Sequence, residues 1–439
     1  MPLSETTSQA LDGPSTSNPS PCPGPGAKPT KIPPTHPDPN TPRQTNYDPV
    51  KQLGVHSTAS RWYLLARAYL IRSAARAAFG LQHRAEPPVP GPTGSVDLDA
   101  TLGAWKGKGK IRVDIYEPSP ARGEGSESES ESSAGASEIG KGDGKGKGKG
   151  KAEASQGFRA GSGADSGRSR IGIINFHGGG FILGTSTDDA RLSTLFNQHL
   201  NAVVFSVNYR LAPSYPFPTP PEDCADAIVQ IAARAREWGV DPDRLVVCGL
   251  SAGGNLALAS WMILQDPGRW GYDLPHPAPS LAGMILFYPL LDYSIPRQEK
   301  RSRAVDPAKT LPPALTDFFD ACYLYLLPDL SDPRLSPGLA PDDVLRQLPP
   351  LHICLCEHDM LLSEGQGFAA RLQDMGKQGS MRLVQGEEHG WDKPPPIAQK
   401  ASVGVEYMAA AEAVRSWFTG GHHAHQAIRQ REWRKATNP

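Results

Sequence analysis

Residues 244–261, RLVVCGLSAGGNLALASW, pass from an apolar run through a knot of small residues into a run that favours helix. Leu245, Val246, Val247 and Cys248 are consecutive and apolar, as in a strand covered on both faces. Gly249-Leu250-Ser251-Ala252-Gly253 follows, and then a stretch from Asn255 to Trp261 without a breaker. Small residues around a serine are what a strained strand-to-helix turn requires if it is to push the hydroxyl outward. The five-residue pattern alone is expected about 0.3 times by chance in a chain of this composition. The strand before it and the helix after it give it weight, against the competing reading of a tight Gly-Ser turn.

Working outward, the runs IGIINF (171–176), AVVFSVNY (202–209), GMILFYPLL (283–291) and PLHICLCEH (350–358) repeat the continuous apolar texture. Helix-like stretches such as 221–238 and 253–265 lie between them. Such alternation predicts an α/β fold with a mostly parallel central sheet and helices on both faces. KIRVDIYEP (110–118) alternates instead and predicts a half-buried strand. Ligands of such sheets bind at the carboxyl edge of the strands, where each candidate residue below falls.

A serine hydroxyl needs a base to take its proton, and the base needs an acid to orient it. In hydrolases of this topology the chain order is serine, acid, histidine. Downstream of Ser251, Glu357, His358 and Asp359 end one apolar strand, and His389 follows another strand-like run. Asp359 is the candidate acid, with Glu357 its best competitor; Glu364 belongs to the following helix. His389 leads as base, because His352 lies inside a strand and His358 adjoins the acid and would point away from it.

NFHGGGFILG (175–184) sets His177 against Gly178, Gly179 and Gly180 at the end of a strand. A phosphate loop would need lysine where Thr185 stands, and a dinucleotide fingerprint would need glycine where Leu183 stands. The four-residue HGGG is expected only about 0.01 times by chance here. After a strand, it matches the loop that lends backbone N–H groups to an oxyanion hole. The anion it would hold is then the transient oxygen of acyl transfer.

The chain of 439 residues has a formal net charge of -1, which gives no global case for nucleic acid or an anionic membrane. A Lys-Gly run near 141–151 sits beside an acidic Ser block and has no aromatics to stack bases, so no nucleic-acid partner is expected. Cys22, Cys224, Cys248, Cys322, Cys354 and Cys356 lack paired metal spacing and read as reduced thiols. Cys354 and Cys356 are expected on opposite faces of one strand. The histidines His422, His423 and His425 read as part of a solvated tail, and no metal or cofactor is expected. No secretory signal and no apolar run long enough to span a bilayer is seen, so a cytoplasmic location is expected. Residues 61–80 form a helix carrying Arg61, Arg67, Arg72 and Arg76. It is read as packed on the domain, with peripheral membrane contact as the alternative.

FHGGGF, NYRLAPSYPFP, DPDRLVVCGLSAGGNLA, SDPRLSPGLA, LPPLHICLCEHDMLLSEG and EEHGW, in this order, resemble the hormone-sensitive lipase family of α/β-hydrolases. The resemblance runs over roughly 170–395 and implies Ser251 as nucleophile, Asp359 as acid and His389 as base. It implies an oxyanion hole from Gly179, Gly180 and Ala252, and makes His177 a structural residue that, with Gly178, Gly249 and Gly253, supports the site. Asn208–Pro213 look like the family's supporting loop. Leu250 departs from the family, which usually has aspartate before the serine. By analogy a helical cap comes from the N-terminal helix and from 293–330.

The expected organisation is a Pro/Ser-rich disordered tail (1–52), a cap helix with the first strands (53–118), a low-complexity insertion (119–168), a catalytic core (169–419) and a C-terminal tail (420–439). The expected function is a serine carboxylic ester hydrolase, acting without cofactor on a small-molecule or lipid ester. The alternative is a silent small-molecule-binding protein on the same fold. Receptor relatives resemble the enzymes at the elbow but lack the base, and His389 is present.

Overall fold

Residue-by-residue alternation along apolar strands sends neighbours to opposite faces, so a run such as Leu245–Leu250 can feed two cores at once. The computed structural model describes residues 58–85, 90–118, 169–274, 278–393 and 400–419. The expected tails at 1–52 and 420–439, the insertion at 119–168, Cys22 and the His422–His425 cluster lie outside the described residues.

The strands are β1 (Gly94–Asp99), β2 (Lys110–Tyr116), β3 (Arg170–Phe176), β4 (Val203–Asn208), β5 (Val240–Leu250), β6 (Gly283–Phe287), β7 (Leu351–His358) and β8 (Gly379–Glu388). The helices are α1 (Thr58–Ala85), α2 (Ala190–Leu200), α3 (Thr219–Arg234), α4 (Ala252–Gln265), α5 (Arg297–Ser302), α6 (Pro313–Tyr323), α7 (Asp342–Leu345), α8 (Leu362–Asp374) and α9 (Ala401–Phe418). The sheet order is β1-β2-β4-β3-β5-β6-β7-β8. β1, β2 and β4 pair antiparallel, and every pairing from β4 through β8 is parallel. The expected mostly parallel sheet is found.

Each face is covered by helices. Leu245 and Val247 of β5 join Ile228 of α3, Leu256 of α4 and Phe368 of α8 in one cluster. Val246, Cys248 and Leu250 join Phe196 of α2 and Tyr407 of α9 in the other. Each such side chain contributes roughly 1.5–3 kcal/mol of burial, so neither layer can be shed cheaply. Cys354 and Cys356 both lie in the second cluster, which corrects the expectation that they face opposite ways. Residues two apart on a strand share a face. Leu250, where the family has aspartate, is fully buried in that layer and needs no polar partner there.

α1 and α6 lie together beside the carboxyl edge. Arg67 of α1 stacks over Phe318 at 4.3 Å and donates to the Ala314 carbonyl at 3.4 Å. The segment expected to cap the site therefore folds as helices and meets the N-terminal helix.

Candidate active site

β5 ends against a backbone constraint. Gly253 has no room for a side chain, because a Cβ there would stand 1.9 Å from the Phe176 carbonyl at the end of β3. A Cβ at Gly249 would stand 2.1 Å from the Gly253 carbonyl, so the strand and the first turn of α4 fold back tightly on each other. Ser251 sits between them at φ 54°, ψ -116°, a conformation disfavoured for a residue with a side chain. Its N–H donates to the Phe287 carbonyl on β6 at 2.9 Å, and its own carbonyl accepts from Gly254 and Asn255. The turn is thus held from both sides.

β7 and β8 deliver the other two residues. His389 Nε2 lies 2.8 Å from Ser251 Oγ, and His389 Nδ1 lies 2.6 Å from Asp359 Oδ2. The other Asp359 oxygen accepts from the Leu361 N–H at 2.9 Å. Both side chains are buried. A carboxylate accepting from Nδ1–H leaves the lone pair on Nε2 to face the serine.

The competing residues go elsewhere. Glu357 accepts from the Gly386 N–H at 2.6 Å. Glu364, on α8, is buried against Lys300 and accepts from the Leu291 N–H, and burial pushes its carboxyl up. His352 Nδ1 meets Ser380 Oγ at 2.8 Å within the sheet.

The glycine loop turns sharply beside the serine. Gly179, Gly180 and Phe181 have φ values of 113°, 60° and 65°, three left-handed residues in succession. Gly178 packs on the elbow, where a Cβ would stand 3.1 Å from the Leu250 carbonyl. Gly180 lies under Phe319 of α6, whose ring would come within 2.2 Å of any Cβ. Phe181 itself stacks on Tyr323, with centroids 3.7 Å apart. His177 is buried and stacked on Tyr209 at 4.3 Å, with Nδ1 2.8 Å from the Gly178 carbonyl. Burial pulls its pKa below the ordinary imidazole value, so it stays neutral.

Asn208–Pro213 brace this loop. The Tyr209 hydroxyl donates to the His177 carbonyl at 2.8 Å, and the Ala212 N–H donates to the Phe181 carbonyl at 3.0 Å. Arg210 turns away to a bidentate pair with buried Asp223.

These parts face one narrow cleft, partly open to solvent. Ser251, His389, Gly180 and Ala252 lie on its wall with Phe319, Leu290, Met360 and Arg297. Gly179 stands one residue back, its carbonyl accepting from the Ile182 and Leu183 N–H groups.

Sequence reasoning missed the polar bracket behind His389. Lys393, itself partly exposed, lies between the buried carboxylates of Asp189 and Asp392, and Asp392 accepts from the hydroxyls of Tyr288 and Tyr407. Asp189 also accepts from Asn175 Nδ2 at 2.8 Å, tying the loop after His389 to β3. The Tyr288 ring lies 4.8 Å from the His389 ring, edge to face. In the sequence, only the position of Asp392 and Lys393 just after His389 hinted at this.

A family profile described as the alpha/beta hydrolase fold matches residues 173–393. The chain is 30% identical over 233 residues to an arylesterase of Saccharolobus solfataricus, covering 53% of this chain and 71% of that one. It is 32% identical over 225 residues to a carboxylesterase of Mycobacterium tuberculosis, covering 50% of this chain and 66% of that one. Among solved structures, it is similar to a thermostable carboxylesterase cloned from a metagenomic library, with a TM-score of 0.57, 26% identity, and coverage of 80% of this chain and 97% of that one. The chain belongs to the hormone-sensitive lipase family of esterase-type α/β-hydrolases.

Proposed function

We propose that the protein hydrolyses carboxylic esters through an acyl-enzyme on Ser251. The observation that carries this is the continuous contact from Asp359 through His389 to Ser251 at one cleft wall. His389 Nε2 takes the Ser251 proton as Oγ bonds to the ester carbonyl carbon. The carbonyl oxygen becomes an oxyanion facing the N–H groups of Gly179, Gly180 and Ala252, and losing one such donor commonly costs about 3 kcal/mol of transition-state stabilisation. Collapse of the tetrahedral intermediate breaks the bond to the alcohol, which leaves with the proton from His389. Water then repeats the attack, giving up its proton to His389, and the acid is released with Ser251 restored. Asp359 keeps Nδ1 protonated throughout.

Apolar Leu290, Phe319 and Met360 on the wall, where Arg297 is neutralised by Asp320, favour a small-molecule or lipid acyl chain over a charged one. Hydrolysis of a p-nitrophenyl ester tests the reading. Turnover by the wild type and its loss in Ser251→Ala is the expected result; an inert wild type, or an active Ser251→Ala, rejects it. An inert wild type would favour the silent binding protein instead.

A second reading concerns α1. Trp62, Tyr63, Tyr69 and Leu70 are 69%, 61%, 69% and 67% exposed along one face. The helix has no acidic residue, and while Arg67 and Arg72 turn to the protein, Arg61 and Arg76 are exposed. Aromatic residues at headgroup depth and arginines beside lipid phosphates suit peripheral contact with an anionic membrane surface. No described helix is long and apolar enough to cross a membrane.

A further inference from the structure

The proposed oxyanion loop is fastened from outside the hydrolase core. Arg72, in the middle of α1, donates through Nε to the Ile182 carbonyl at 2.7 Å and through Nη2 to the Ala212 carbonyl at 2.6 Å. Ile182 closes the glycine turn, since its N–H donates to the Gly179 carbonyl at 3.1 Å. Ala212 belongs to the bracing loop, and its N–H donates to the Phe181 carbonyl at 3.0 Å. The guanidinium therefore clasps the two loops at the point where they already share a hydrogen bond. Both of these residues are fully buried.

The clasped turn needs external support. Phe181 carries a side chain at φ 65°, next to two glycines at positive φ. A residue in that region costs on the order of 1–3 kcal/mol and persists only where its surroundings over-determine it. Stacking on Tyr323, the bond from Ala212 and the clasp by Arg72 supply those surroundings. A planar fork with donors fixed at both Nε and Nη suits two carbonyls at once, which an ammonium cannot match.

We propose that Arg72 is a positioning residue for the oxyanion hole, and that α1 is for this reason a working part of the site rather than only a cover. The inference rests on the ester-hydrolase reading. Arg72 touches neither substrate nor Ser251; it fixes the backbone N–H groups of Gly179 and Gly180 through the turn that contains them. Donors that act mainly on the transition state lower kcat when displaced and leave KM nearly unchanged.

The test is steady-state hydrolysis of a p-nitrophenyl ester by the full chain. Arg72→Ala is expected to lower kcat by roughly 10- to 100-fold with little change in KM, and millimolar methylguanidinium is expected to restore part of the loss. Arg67→Ala removes the contacts of the same helix to Phe318 and Ala314, so it loosens docking without touching the clasp. Its kcat is expected to stay within about twofold of the wild type. Should Arg72→Ala fail to fold, Arg72→Lys keeps the charge and loses the fork, and its kcat is expected to fall between wild type and the 100-fold loss. Wild-type kcat in either Arg72 variant would overturn the inference, as would an equal loss in Arg67→Ala. An inert wild type would instead remove the ester-hydrolase reading beneath it.

Discussion

The Asp359 carboxylate and the His389 imidazole meet at 2.6 Å, Oδ2 to Nδ1, in a pair whose side chains are only 2% and 8% exposed. So little water reaches the pair that the carboxylate, and not solvent, selects the tautomer of the ring. Asp359→Asn should keep the shape and lose that selection. The expected result is a fall in kcat of about 10⁴-fold, with a thermal midpoint close to the wild type. Steady-state kinetics and a melting curve check it, and near-wild-type turnover would remove Asp359 from the role of acid.

Gly180 is constrained twice, by φ 60° and by the Phe319 ring 2.2 Å from any added Cβ. Gly180→Ala should therefore lower both stability and turnover. Adding Phe319→Leu should recover part of the melting temperature by clearing the clash. It should not recover kcat, because left-handed backbone still costs alanine roughly 1 kcal/mol and the loop relaxes away from it. Full recovery of kcat in the double variant would place the effect in the cap and not in the loop.

His177 gives the fold a dependence on pH. Burial holds its pKa below the ordinary value of 6.5, so the unfolded chain binds a proton there that the folded chain refuses. Its contribution to stability is complete above about 6.5 and is lost as the pH falls below it. The slope from this one group reaches at most about 1.4 kcal/mol per pH unit. Urea unfolding from pH 7.5 down to 5 should show it, and His177→Asn should flatten the slope; an unchanged slope would contradict the assignment.

Lys393 balances two carboxylates that are wholly buried, Asp189 and Asp392. Removing the cation leaves two buried negative charges held only by neutral donors, Asn175 on one and the Tyr288 and Tyr407 hydroxyls on the other. Lys393→Met is expected to cost about 3–5 kcal/mol of unfolding free energy and to lower kcat, since His389 lies four residues before it. Denaturant unfolding measures the first effect. A loss under about 1 kcal/mol would show the bracket to be unimportant.

The aromatic face of α1 predicts sedimentation with phosphatidylserine-containing vesicles and little with phosphatidylcholine alone. Trp62→Ser with Tyr69→Ser should abolish it while leaving hydrolysis of a soluble ester unchanged. Equal recovery with both vesicle types, or none with either, would reject the membrane contact.

Much of the site could be read in the sequence because backbone geometry dictates residue type there. Gly253 and Gly249 are glycine because strand, turn and helix collide without them, and Gly179 and Gly180 because their φ is positive. Such demands leave small residues in fixed order, and the apolar runs mark the strand ends that carry Ser251, Asp359 and His389. What escaped reading is held by side chains far apart in the chain. Arg72 reaches loops 110 and 140 residues away, and Lys393 reaches Asp189 across 204. Neither partner alters the local pattern of the other. The mistaken faces of Cys354 and Cys356 had a simpler cause: the two-residue period of a strand was misapplied.

Ester hydrolysis as proposed requires that Ser251 be the nucleophile and that His389 activate it. Reaction with a fluorophosphonate, followed by peptide mass spectrometry, addresses it directly. One stoichiometric adduct on Ser251 is expected in the wild type, greatly slowed in His389→Ala and absent in Ser251→Ala. An adduct on another residue, or labelling of Ser251 at an unchanged rate without His389, would contradict it.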